Sequence, residues 1–207
     1  METVLENSIN YIRQNYPEVI ISEENSNIIF EGRFVFNARN NTFEINEAPL
    51  LKIVFNKKYP IIPPVCYDLN ENISYDHVNY DKSLCLSTDI DIAQKLCNSQ
   101  CISDYINELL IPFFLSYRYW EKYGHDLFGD YSHGRKGVYE SIRAYLHNPD
   151  LSDSECYKLL LWASKTIKFH RLFSRNERNE SLRKFLPYIK LLRKLGIPLL
   201  RKQLKYK

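Results

Sequence analysis

Residues 57–64 read KKYPIIPP, three prolines in eight positions. Proline has no N–H to give a ladder and its ring fixes φ, so this stretch cannot be a central strand and favours extended backbone outside any ladder. It follows LLKIVFN (50–56), in which Leu51, Ile53 and Phe55 fall on one side. That period of two marks a half-buried strand. A sheet built upstream must therefore end near residue 57, and the chain beyond must be of another kind.

Upstream, residues 4–16 place Val4, Ile9, Ile12 and Tyr16 near one helical face, and Pro17 is a natural stop. In NIIFEGRFVFN, Ile28, Phe30, Phe34 and Phe36 alternate against Glu31 and Arg33, with Gly32 in the apolar register. That reads as a strand, the Asn-rich NARNNT (37–42) as a turn, and TFEIN as a second strand. Three short strands after a helix predict an antiparallel meander packed on that helix.

Downstream, residues 65–100 read as irregular, which in a compact domain is usually functional. Helical spacing then returns: Ile102, Ile106, Leu109 and Leu110 share a face, with Ser103 as a cap and Pro112 as a kink or restart. LHNPDL (146–151) is a break. Ser152 and Glu155 have capping-box spacing and open a helix through about residue 169. The last segment is helical, with interruptions at Pro187 and at Gly196 and Pro198. The predicted class is α+β: an N-terminal helix, an antiparallel β-meander and C-terminal helices. The predicted domains are a core over 1–147 and a helical, basic extension over 148–207.

Composition excludes several classes. An apolar fraction of 44% with a net charge of +3 is incompatible with dominant disorder. The longest apolar-rich run, 109–115, falls far short of the ~18–20 residues of a membrane span. The start METVLENSIN lacks the basic and apolar regions of a secretory signal. Five cysteines are neither even in number nor dense enough for a disulfide scaffold. The expected setting is a reducing cytoplasm. Charge is uneven: residues 170–207 carry twelve basic and two acidic side chains, a balance of +10 against −7 elsewhere. Such a tail is either a solvated helix surface or a grip on an acidic partner.

Three motifs occur in order. Residues 59–64 are YPIIPP, residues 77–79 are His77-Val78-Asn79, and Cys85-Leu86 follows. Together they resemble the ubiquitin-conjugating enzyme (E2) family: its Tyr-Pro-x-x-Pro-Pro signature, its His-Pro-Asn and its catalytic Cys-Leu. The match is closer to divergent bacterial members of the kind found in antiphage (CBASS-type) operons. Tyr131-Ser132-His133-Gly134, with Gly137 and Glu140, resembles a Ser-His-Gly segment of those bacterial chains. The resemblance covers about residues 1–147. Val78 replaces the central proline, and the interval from Asn79 to Cys85 is two residues shorter than in typical eukaryotic members.

The resemblance implies an E2 (UBC)-like fold and an enzyme, a transferase working through a cysteine thioester. Cys85 would accept the C-terminal carboxyl group of a protein and pass it to an amine, since a thiolate is both a strong nucleophile and a good leaving group. Asn79 would stabilise the tetrahedral oxyanion as a neutral amide donor. His77 would hold the loop by side-chain-to-backbone hydrogen bonds. Asp89 and Asp91 are candidates for aligning the incoming lysine amine, and His133 is a further auxiliary candidate. The implied cargo is a CD-NTase-like nucleotidyltransferase or a ubiquitin-like protein. An E1-like activating enzyme and a lysine-bearing acceptor protein are the other implied partners.

Blander readings accompany each residue. Cys85 can be a packed core thiol, His77 and Asn79 can shape a turn, and His133 can brace a helix start. Cys66 and Cys156 read as structural. Cys97 and Cys101, spaced i, i+4, would share a face if helical, as a redox pair, a second acyl-accepting thiol or plain packing. Two thiols without a matching His pair do not make a zinc site, so no metal is expected. Neither GxxxxGK[ST] nor GxGxxG occurs, so no nucleotide cofactor is expected and the chain is not expected to activate a carboxylate itself. Two other functions stay open: a non-catalytic E2-variant-like binding module, and nucleic-acid binding through the basic tail. For the latter, Phe173, Phe185, Tyr188 and Tyr206 have spacings that equally suit helix packing.

Overall fold

The computed structural model describes residues 3–41, 43–70, 72–73, 77–128, 131–132, 134–174, 176–196, 200 and 202–204. The elements in order are α1 (Val4–Asn15), β1 (Ile20–Glu24), β2 (Asn27–Arg33), β3 (Phe36–Asn40), β4 (Phe43–Glu47), β5 (Leu50–Asn56), β6 (Val65–Asp68), α2 (Asp89–Leu96), α3 (Ile102–Tyr105), a π-helical turn (Ile106–Leu110), α4 (Ile111–Tyr123), α5 (Gly134–Tyr145), α6 (Asp153–Ala163), α7 (Phe169–Leu172) and α8 (Arg178–Lys194). The class is α+β, with the sheet following one helix and preceding the rest. Among the described residues no helix is long and apolar enough to cross a membrane.

Helix α1 begins at Thr3, whose hydroxyl accepts from the Glu6 N–H while the Glu6 carboxylate accepts from the Thr3 N–H. This reciprocal cap satisfies two of the N–H groups a helix start leaves open. The helix buries Ser8 and Ile12. Ser8 Oγ accepts from Ile102 N–H at 2.9 Å and donates to Val4 C=O at 2.7 Å.

The main sheet is antiparallel in the order β1-β2-β5-β6, and β3 and β4 form a separate hairpin. This differs from the three-strand meander expected from sequence. The alternating run 27–37 is two strands, because the β2–β5 ladder ends at Pro49. Phe34 N–H donates to the Pro49 carbonyl at 3.0 Å, but proline has no N–H with which to reciprocate. Residues 37–40, expected as a turn, are strand, and the turn falls at Asn41, which has φ 48°. Strand β1 lacks an apolar alternation: only Ile21 is half-buried and the other four residues are exposed, so the periodicity test passes over it. Gly32 has a packing reason, since a Cβ there would lie 2.8 Å from Glu18 O and Val19 Cα.

The core beside the sheet is strongly aromatic. Ring contacts run from Tyr16 to Phe34, Phe34 to Phe36 and Phe36 to Phe114, with centroids 5.0–6.4 Å apart. Phe55 packs at 4.8 Å, with the rings tilted, against Tyr59, the tyrosine of YPIIPP. The Tyr59 hydroxyl contacts Ser99 Oγ and donates to Cys101 C=O at 3.1 Å, and burial raises its pKa to about 12. The motif therefore anchors the turn after β5 into the core. Residues 57–62 stay outside the ladder, as expected, but form turns rather than extended backbone, and the Tyr59–Pro60 bond is cis.

The chain packs as two compact units: residues 1–87 with 95–130, and residues 88–94 with 131–207. The division differs from the boundary expected at residue 147. Helix α5 buries Val138, Tyr139 and Ile142 in one cluster with Leu159 and Leu160 of α6 and Phe185, Ile189 and Leu192 of α8. It thus belongs to the helical unit. The Ser152–Glu155 capping box forms as the spacing predicts. Helix α6 ends at Ala163 rather than near 169, and α8 runs through Pro187 before Gly196, at φ 97°, follows its end. Cys101, not Ser103, caps α3, and Pro112 lies in the first turn of α4.

Candidate active site

Residues 77–85, expected to be irregular, form a hairpin. Lys82 N–H donates to Asn79 C=O at 2.9 Å and Asn79 N–H donates to Ser83 C=O at 2.8 Å. Lys82 sits at φ 68°. This is the hairpin form in which a turn is followed by one left-handed residue. One step along, Val78 pairs with Leu84, and next to it Cys85 N–H donates to His77 C=O at 2.8 Å. The hairpin is fastened to the edge of β6: Leu84 N–H donates to Cys66 C=O at 2.8 Å, and Ser83 pairs with Tyr67.

Side chains alternate across a ladder. His77, Asn79, Ser83 and Cys85 therefore share one face, and Val78 and Leu84 take the other, where Leu84 is buried. Asn79 stands diagonally across from Cys85, a relation of about 7–8 Å between Cα atoms in such ladders. On this face Asn79 is exposed, His77 and Cys85 are half-buried and Ser83 is buried. The short Asn79–Cys85 interval is what a three-residue loop requires. The His77 link to Cys85 runs through its backbone carbonyl.

Two residues not singled out from the sequence, Asp81 in the turn and Ser83 on the face, bear on Asn79. Ser83 Oγ accepts from Asn79 Nδ2 at 3.0 Å and donates to Asp81 Oδ1 at 2.6 Å. Ser83 N–H also donates to Asp81 Oδ1, at 3.1 Å. These bonds, the hydroxyl first, hold the Asp81 carboxyl below its usual pKa. The available signal was the Asp-x-Ser spacing at a turn, where an Asp side chain bonds backbone two residues on.

The auxiliary candidates fall in another part of the chain. Asp89 and Asp91 lie in the first turn of α2, in the part of the chain that packs with the helical unit. Asp89 Oδ2 accepts from Lys202 Nζ at 2.7 Å and Gln203 Nε2 at 2.8 Å. Asp91 N–H donates to Thr88 Oγ1 at 3.3 Å. His133 lies outside the described residues. Its neighbour Ser132 is clamped to α5, with N–H and Oγ both donating to the Glu140 carboxylate at 2.7 and 3.0 Å. A Cβ on Gly137 would fall 1.7 Å from the Ser132 carbonyl oxygen. Ser132 is thus folded back on the helix that carries Gly137 and Glu140.

Cys66 and Cys156 are fully buried, as expected of structural thiols. Burial pushes the Cys66 thiol far up and the Cys156 thiol to about 11. Cys97 lies in a turn after α2 and Cys101 precedes α3, so no common helix carries the pair. Among the described residues no cluster of three or more His, Cys, Asp or Glu side chains is arranged to hold a metal ion. A cavity of about 280 Å3 beside Tyr117 and Arg118 includes none of the hairpin residues.

No protein-family model, no curated protein and no solved structure matches the chain.

Proposed function

We propose that this chain is a cytoplasmic acyl-carrier enzyme of the ubiquitin-conjugating type, with an E2-like fold over its sheet-bearing unit. Cys85 Sγ attacks the activated C-terminal carbonyl of a protein and the donor's leaving group departs, forming a thioester. A lysine amine then attacks that carbonyl, loses a proton, and Cys85 departs as the thiolate. Asn79 donates to the oxyanion in both steps, and such a donor typically contributes about 10²–10³ in rate. The proposed cargo is a CD-NTase-like nucleotidyltransferase or a ubiquitin-like protein. An E1-like enzyme or an activated partner supplies the acyl group, and the setting is antiphage defence.

The observation that carries this reading is the placement of an exposed Asn79 and a half-buried Cys85 on one face of a hairpin pinned to the sheet edge. A core thiol, like Cys66, would be fully buried; Cys85 is not.

The test is intact mass without reductant after co-expression with proteins encoded nearby. Wild type should carry a protein-sized adduct that Cys85→Ala lacks and alkaline hydroxylamine removes. Hydroxylamine cleaves a thioester and spares a disulfide. Tight partner binding with no adduct, unchanged in Cys85→Ala, would replace the enzyme by a binding module.

A further inference from the structure

We infer that Asp81 and Ser83 fix which way the Asn79 carboxamide points, and are positioning residues for the group transfer proposed above. The inference rests on that reading.

The argument is one of hydrogen-bond polarity. A serine hydroxyl carries one proton, and an ionised carboxylate only accepts. Ser83 Oγ lies 2.6 Å from Asp81 Oδ1, so its proton goes there. Only lone pairs remain for Asn79, 3.0 Å away. An acceptor at that point selects the NH2 end of the amide. The reversed amide would set two oxygens against each other at the same distance, without a proton between them. Asp81 is itself held in place, because the same oxygen takes the Ser83 N–H. The negative charge at the turn is thereby read out two residues later as a defined amide orientation. One amide hydrogen is bound by Ser83, and the second is left for an oxyanion forming at Cys85. Without Ser83 the carboxamide is free to turn over, and its oxygen would then repel the developing charge.

The test uses a glycine-ending peptide as its mercaptoethanesulfonate thioester, with free lysine as acceptor. Cys85 displaces mercaptoethanesulfonate, and lysine then displaces Cys85, its amine giving one proton to buffer. Intact mass follows both steps on the full chain. Ser83→Ala should lower the kcat of discharge to lysine on the order of 10-fold to 10²-fold, with the KM for lysine unchanged. Ser83→Thr, which keeps the hydroxyl, should restore it. In an Asn79→Ala background, Ser83→Ala should cost nothing further, because Ser83 acts only through Asn79. Thermal melting of each variant checks folding. Discharge of Ser83→Ala at the wild-type rate, or an equal loss in both backgrounds, overturns the inference and leaves acyl transfer standing. Absence of any thioester on wild type overturns the acyl-carrier reading, and this inference with it.

Discussion

The N–H of Cys85 donates to the carbonyl of His77 at 2.8 Å, across a hairpin whose turn lies between Asn79 and Ser83. That bond sets the register. With a period of two along each arm, it places His77 and Cys85 side by side and Asn79 one step nearer the turn on the same face. A slip of one residue would send Cys85 to the face where Leu84 is buried.

Asn79→Ala should leave the protein folded, since Asn79 is exposed and its backbone bonds remain. Discharge of a Cys85 thioester to lysine should fall by about 10²–10³. Single-turnover kinetics with matched melting curves check this, and an unchanged discharge rate would remove Asn79 from the reaction.

The polarity of the Asn79 amide should persist through mild acid. The Asp81 carboxyl is held below its ordinary value by the Ser83 hydroxyl and N–H. Its contribution is therefore fully present above the unfolded carboxyl value, about 3.9, and is lost as pH falls through the lower folded value. Carboxyl and side-chain amide NMR titrations should show Asp81 and Asn79 flat from pH 8 to 5. An Asp81 midpoint at or above 3.9 would contradict the contact.

Thiol labelling should follow burial. With iodoacetamide at pH 8, Cys97 should react readily because it is exposed. Cys66 and Cys156 should stay unmodified until denaturant is added, since both are fully buried and burial has raised both thiols. Peptide mapping by mass reads the order. Labelling of Cys66 before Cys97 in native protein would contradict the packing of β6.

Gly137→Ala should destabilise more than Gly124→Ala. A Cβ at 137 meets the Ser132 carbonyl oxygen at 1.7 Å, a backbone atom that cannot swing aside. Overpacking of this kind costs about 1–3 kcal/mol. At Gly124 nothing lies within 4 Å, and the only penalty is its φ of 74°, roughly 1–2 kcal/mol. Chemical denaturation of the two variants gives the ranking.

Local chemistry determined much of this protein by sequence alone. Strand β5 shows its alternation of Leu51, Ile53 and Phe55, the prolines of YPIIPP end it, and Ser152 with Glu155 starts α6. Each of these signals is complete within a few residues. The order of His77, Asn79 and Cys85 was likewise visible, but not the hairpin that aligns them, since Lys82 carries no glycine-like mark of its left-handed conformation. Only tertiary structure decided that the sheet skips from β2 to β5, because that pairing joins residues 27–33 to residues 50–56 across an intervening hairpin. It alone assigned α5 to the helical unit, through a cluster drawn from α6 and α8. It alone joined Asp81 and Ser83 to the Asn79 amide, because a hydroxyl's direction is set by the partners that folding brings to it.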